Sequence, residues 1–107
     1  MNRGWIGVDL DGTLAFYDKW RGENHIGDPV PLMLARVKEW TRQGMTVKLF
    51  TARANNGPKQ IELIQKWCKK HGLPKLEVTA TKDFGMIVLY DDRCIRVQEN
   101  TGKCFEG

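Results

Sequence analysis

Apolar residues along this chain change back and forth between the short runs of a strand and the three-to-four-residue spacing of a helix. That alternation constrains the fold more than any other feature. Residues 5–9 (WIGVD) read as a strand, and 31–43 as a helix entered at Pro31 and stopped at Gly44, with Leu34, Val37 and Trp40 near one face. Residues 46–50 (TVKLF) are rich in β-formers, and 58–71 is helical again, with Ile61, Ile64, Trp67 and Cys68 on one side and Gly72 as its stop. Residues 76–79 predict a short strand. The uninterrupted apolar run at 86–90 (MIVLY) suits a strand covered on both faces. Strands separated by helices imply right-handed crossovers, so the predicted class is α/β around a central parallel sheet.

A chain of 107 residues has room for one domain, spanning 1–107. No apolar run approaches the ~20 residues of a membrane span, and the N-terminus lacks a signal-type segment, so no membrane partner and a cytoplasmic setting are expected. Cys68, Cys94 and Cys104 are odd in number and widely spaced, which indicates neither a disulfide framework nor a zinc pattern.

Function in open parallel sheets gathers beyond the carboxyl ends of the strands. Three polar clusters fall there: Asp9 and Asp11 with Gly12 after the first strand, Thr51-Ala52-Arg53 after the second, and Asp91-Asp92 after MIVLY. Asp-Gly is also a turn signal, and a turn alone would account for Asp11-Gly12. A turn does not account for four carboxylates converging on one rim, because they repel unless a cation neutralises them. Hard oxygen ligands point to Mg²⁺. With those four acids set aside, 17 Lys and Arg face nine acids, so an acidic spot sits on a basic body, which suits a cation with an anionic substrate as well as simple solubility. His25 and His71 lie outside the clusters; His71 reads as a residue placed by the dipole at a helix C-terminus.

The residues Asp9-Leu10-Asp11-Gly12-Thr13-Leu14, Thr51, Lys82 and Asp91-Asp92 resemble, in order, the four motifs of the haloacid dehalogenase superfamily of phosphotransferases. The resemblance implies a small Rossmann-like three-layer sandwich. It also implies that Asp9 is the nucleophile that becomes a phosphoaspartate, and that Asp11 acts as general acid and base while offering its main-chain carbonyl to Mg²⁺. Thr51 and the Ala52 N–H would hold phosphate oxygens, Lys82 would steady Asp9 and the transferring group, and Asp91 and Asp92 would coordinate the metal. A solvated loop lysine is the alternative for Lys82. The segments 15–28 and 54–81, where relatives insert a cap, are too short for a cap domain, so the site is expected to be open. Lys82 precedes Asp83, not the proline common in relatives, which adds an acid near the site.

An open site admits large substrates. "TAR" at 51–53 and "YDDR" at 90–93 are similar to the phosphatase half of phage polynucleotide kinase-phosphatases, and by that resemblance Arg53 binds phosphate. Phe16, Tyr17 and Trp20 alternate with Lys19 and Arg21, as a surface tracking a nucleic-acid strand would, or as aromatics covering the end of the sheet would. The expected function is therefore Mg²⁺-dependent hydrolysis of a phosphorylated substrate, with phosphorylated nucleic-acid ends or nucleotides ahead of a small metabolite. Two other classes remain open: a receiver-like phosphoacceptor signalling domain and an inactive metal-binding module. A receiver places its paired acids first and its lysine last, the reverse of the order here.

Overall fold

The computed structural model describes residues 4–105. β1 (Trp5–Val8), α1 (Pro31–Arg42), β2 (Thr46–Phe50), α2 (Pro58–Lys70), β3 (Glu77–Thr79) and β4 (Met86–Tyr90) follow one another, with a 3₁₀ turn at Ala52–Asn56 between β2 and α2. Each α-helix begins at its proline, where a missing N–H costs nothing. The four strands form one parallel sheet in the order β3-β2-β1-β4. The chain is thus α/β and Rossmann-like, with the strand order 3-2-1-4 of a dinucleotide-binding sheet rather than the flavodoxin order 2-1-3-4.

β1, β2 and β3 advance across the sheet in one direction, so two right-handed crossovers put both helices on the same face. The core reflects this. Alternate strand residues Ile6 and Val8, Val47 and Leu49, and Val78 pack in one cluster with Met33 and Val37 of α1 and with Ile64, Trp67 and Cys68 of α2. On the opposite face, where no helix packs among the described residues, the connection between β3 and β4 covers part of the sheet. There Trp5 lies buried, its indole N–H donating to the Asp83 carboxylate at 2.8 Å and its ring 4.7 Å below the Lys48 ammonium.

Two expectations are corrected. β4 is an edge strand, with Ile87 57% and Val88 43% exposed, so its apolar run is not covered on both faces. Asp83 adds no acid to the site: it binds Trp5, at the start of β1, and so belongs to the opposite rim of the sheet. The Trp5 indole and the Gly85 N–H hold its carboxyl below the usual range.

No helix or strand is inserted between β1 and α1, which agrees with the absence of a cap domain. The 16–28 loop is pinched at its base by hydrogen bonds from Phe16 N–H to Asp28 O and from Val30 N–H to Leu14 O. After β4 the chain makes a small antiparallel pairing, Val97 opposite Cys104, that the sequence reading did not anticipate. Among the described residues no helix is long and apolar enough to cross a membrane.

Candidate active site

Strand order reverses between β1 and β4, and a crevice opens at such a switch point beyond the carboxyl ends of the strands. Val8 pairs with Tyr90, so Asp9 and Asp91 leave the sheet side by side, the Asp9 N–H donating to Tyr90 O at 2.8 Å. Leu10 and Leu14 are fully buried and anchor the turn that follows; the Leu10 carbonyl accepts from the N–H groups of Thr13, Leu14 and Ala15. Gly12 serves this turn twice. Its φ of +91° lies where side chains are strained, and a Cβ there would stand 2.7 Å from Asp92 Oδ2.

With the turn so shaped, one oxygen each from Asp9, Asp91 and Asp92 lie within 4.8 Å of one another. Thr13 stitches them together. Its hydroxyl accepts the Asp92 N–H at 3.0 Å, and its own proton faces Asp92 Oδ1 at 3.1 Å and Asp9 Oδ2 at 3.4 Å. Burial first, then a hydrogen bond that the protonated Asp9 donates to Asp92 and the charges of Asp91 and Asp92, push the Asp9 carboxyl up to about 7. Three all-oxygen donors that crowd one another to this degree fit a hard divalent cation such as Mg²⁺.

Asp11 is held out of this group. Both its oxygens accept from Arg53, Nε to Oδ2 at 2.8 Å and Nη2 to Oδ1 at 3.0 Å. Arg53 is only 5% exposed, and further N–H groups reach the carbonyls of Glu23 at 3.1 Å and His25 at 2.8 Å. Four of the five guanidinium N–H groups are thereby satisfied within the protein. Arg53, the arginine that the resemblance assigns to phosphate, lines the cleft and holds Asp11 and the 16–28 loop, and of the four expected carboxylates three form the close group.

Thr51 is buried at the end of β2, its N–H donating to Thr79 O at 2.9 Å and its hydroxyl oxygen accepting the Arg53 N–H at 3.1 Å. A cleft of about 590 Å³ gathers Asp9, Asp11, Thr51, Ala52, Arg53, Asp91 and Asp92 on its walls. Lys82 is exposed and is not on those walls; it lies between Ala80, which is, and Asp83 at the far rim. Tyr17 and Trp20 also line the cleft, whereas Lys19 and Arg21 border a smaller neighbouring cavity, and Arg21 is paired with Asp18 at 2.6 Å. His71 caps the C-terminus of α2 with its ring edge-on to Trp67, and His25 contributes its carbonyl to Arg53.

Sequence reasoning passed over Thr13, Asn55, Asn56 and Arg93. Thr13 was visible as the hydroxyl in Asp-Gly-Thr, and the two asparagines as polar residues following Thr51-Ala52-Arg53. No protein-family model matches the chain, and no curated protein matches it. Its structure is similar to that of a conserved protein from Bacteroides thetaiotaomicron, at 20% identity and a TM-score of 0.65, over 87% of this chain and 78% of that one. A likeness at that identity concerns the fold.

Proposed function

We propose that the chain is a phosphatase of the haloacid dehalogenase type, hydrolysing phosphomonoesters with Mg²⁺ through a phosphoaspartate on Asp9. One observation carries the reading: three carboxylates within 4.8 Å of one another at the sheet's switch point, sharing a cleft with the buried Thr51 hydroxyl and with Asp11. Asp9, Asp91 and Asp92 would hold the ion, together with the main-chain carbonyl of Asp11 that the resemblance implies. Once bound, Mg²⁺ supplies the positive charge that lets an anionic nucleophile meet an anionic phosphate.

An Asp9 oxygen attacks phosphorus; as that bond forms, the bond from phosphorus to the ester oxygen breaks, and the leaving oxygen takes a proton from Asp11. In the second half Asp11 withdraws a proton from water, the water oxygen bonds to phosphorus, and Asp9 departs as a carboxylate, freeing inorganic phosphate. Each Asp11 oxygen accepts one bond from Arg53 and keeps a second lone pair on which the proton can be carried. Thr51 and Ala52 border the phosphate, and Arg93 is a cation already on the cleft wall. Lys82 retains its part by resemblance alone. The receiver alternative is disfavoured by strand order, since β4 rather than β3 stands beside β1.

The test is hydrolysis of a small phosphomonoester with Mg²⁺ and with excess EDTA, combined with acid quenching to trap the phosphoenzyme. Turnover that needs the ion, is abolished by Asp9→Asn and passes through a short-lived acyl phosphate supports the reading. Undiminished turnover in EDTA, or a phosphoenzyme that persists for hours, overturns it.

A further inference from the structure

The proposed chemistry uses the acidic residues and Thr51 on the cleft walls and leaves the organic half of the substrate unassigned. The same cleft also has aromatic and amide walls. Trp20 and Tyr17 come from the 16–28 loop, Asn55 and Asn56 from the 3₁₀ turn after β2. Trp20 is not covering a core. It is 53% exposed, while the Arg53 guanidinium stands 5.0 Å from its ring centre. Arg53 is itself immobilised by four hydrogen bonds. The loop that carries Trp20 is tied down further along, by Gln60 Nε2 to Glu23 O at 3.1 Å and by Trp67 Nε1 to Gly27 O at 3.0 Å. An indole braced on one side by a fixed cation, and open to a cleft, is a platform set in advance for a planar ring.

Asn55 and Asn56 are exposed, and their side chains bond to no described residue. Each offers an acceptor oxygen and two donor hydrogens, the complement of the mixed edge of a nitrogen heterocycle. The carboxylates on the cleft walls, Asp9, Asp11, Asp91 and Asp92, belong to the proposed phosphate and proton-transfer machinery. A ligand that fits is therefore anionic at one end and neutral, flat and hydrogen-bonding at the other. A sugar phosphate could bond to the amides but would bring no planar ring to the platform.

We infer that the cleft takes a nucleoside monophosphate unit, free or as the phosphorylated end of a strand, with the base on Trp20 and its edge toward Asn55 and Asn56. The inference rests on the phosphatase reading for the position of the phosphate.

The experiment compares kcat/KM for nucleoside 5′- and 3′-monophosphates, for oligonucleotides carrying the same phosphates, and for glycerol phosphate, in the unaltered protein, Trp20→Ala, Trp20→Phe and Asn55→Ala with Asn56→Ala. Nucleotides should exceed glycerol phosphate at least tenfold. Trp20→Ala should lower the nucleotide value about 5- to 150-fold, the effect of losing one stacked base. Glycerol phosphate should change less than twofold, and Trp20→Phe should retain most of the preference. Oligonucleotides outperforming free nucleotides identifies a strand end as the source, and the reverse identifies the free nucleotide. Equal losses for all esters in Trp20→Ala, or no preference for nucleotides, overturns the inference while leaving the phosphatase reading intact. Should no ester be hydrolysed, titration of AMP against the indole fluorescence that Trp20→Phe removes decides separately: quenching upholds the base platform, and its absence refutes it.

Discussion

Replacing Arg53 by methionine would remove a cation that the fold has enclosed. The loss includes two charge-assisted bonds to Asp11, one bond each to the Glu23 and His25 carbonyls, and the contact with Trp20. Removing one partner of a buried ion pair costs about 3–5 kcal/mol, because the other is left charged and unpaired. The Asp11 side chain remains 21% exposed, and Glu23 O keeps its bond from Gln60, so the lower end applies. About 3 kcal/mol in a domain of this size lowers Tm by roughly 12–24 °C. The assay is urea and thermal unfolding of four proteins: unaltered, Arg53→Met, Asp11→Asn and the double variant. Since the pair shares one network, the double variant should be less destabilised than the sum of the singles by about 1–3 kcal/mol. A cost below about 1 kcal/mol for Arg53→Met, or strict additivity, would show that this pair is not what holds Asp11 and the loop.

Other outcomes follow from the same site. In metal-free buffer Asp9 has a folded-state pKa near 7 against about 4 unfolded, so the native state binds more protons between those values and stability falls as pH rises through that window. Asp9→Asn should flatten this slope in pH-dependent melts, and a slope that survives the substitution would exclude Asp9 as its source. Gly12→Ala should cost about 1–3 kcal/mol through backbone strain and weaken Mg²⁺ binding by displacing Asp92, as read by calorimetry; unchanged affinity would contradict the close approach drawn above. Asp11→Asn should slow hydrolysis of an unactivated ester by ~10²–10⁴-fold and of p-nitrophenyl phosphate less, and equal losses would remove Asp11 from proton transfer. Cys94 and Cys104, both exposed, should react promptly with a thiol reagent, while Cys68, buried with its thiol pushed up to about 11, should react only on unfolding.

The elements were legible because their punctuation is strong: Pro31 and Pro58 open helices, and Gly44 and Gly72 follow their ends. Placement within the sheet was less so. MIVLY records an apolar strand, yet nothing in five residues says whether a second neighbour will cover it, and β4 turned out to be an edge. Asp83 follows Lys82 in sequence, but the connection from β3 must travel back to the start of β4, which carries Asp83 to the opposite rim. Of the site, the residues gathered at strand ends could be read from spacing alone. The capture of Asp11 by Arg53 could not, because it depends on a loop 28–30 residues upstream of the arginine offering its carbonyls.

The position of β1 has a consequence for how the molecule is made. The strand emerges first during synthesis but ends in the interior of the sheet, and its neighbour β4 is translated nearly eighty residues later. Until β4 docks, Asp9 has neither Asp91 nor Asp92 beside it, so the acidic group comes into being only when β4 pairs with β1. A nascent or truncated chain lacking β4 can bury much of the helical face yet has no means of assembling the three-carboxylate centre. Competence for the proposed chemistry is thereby restricted to molecules in which β4 has taken its place beside β1.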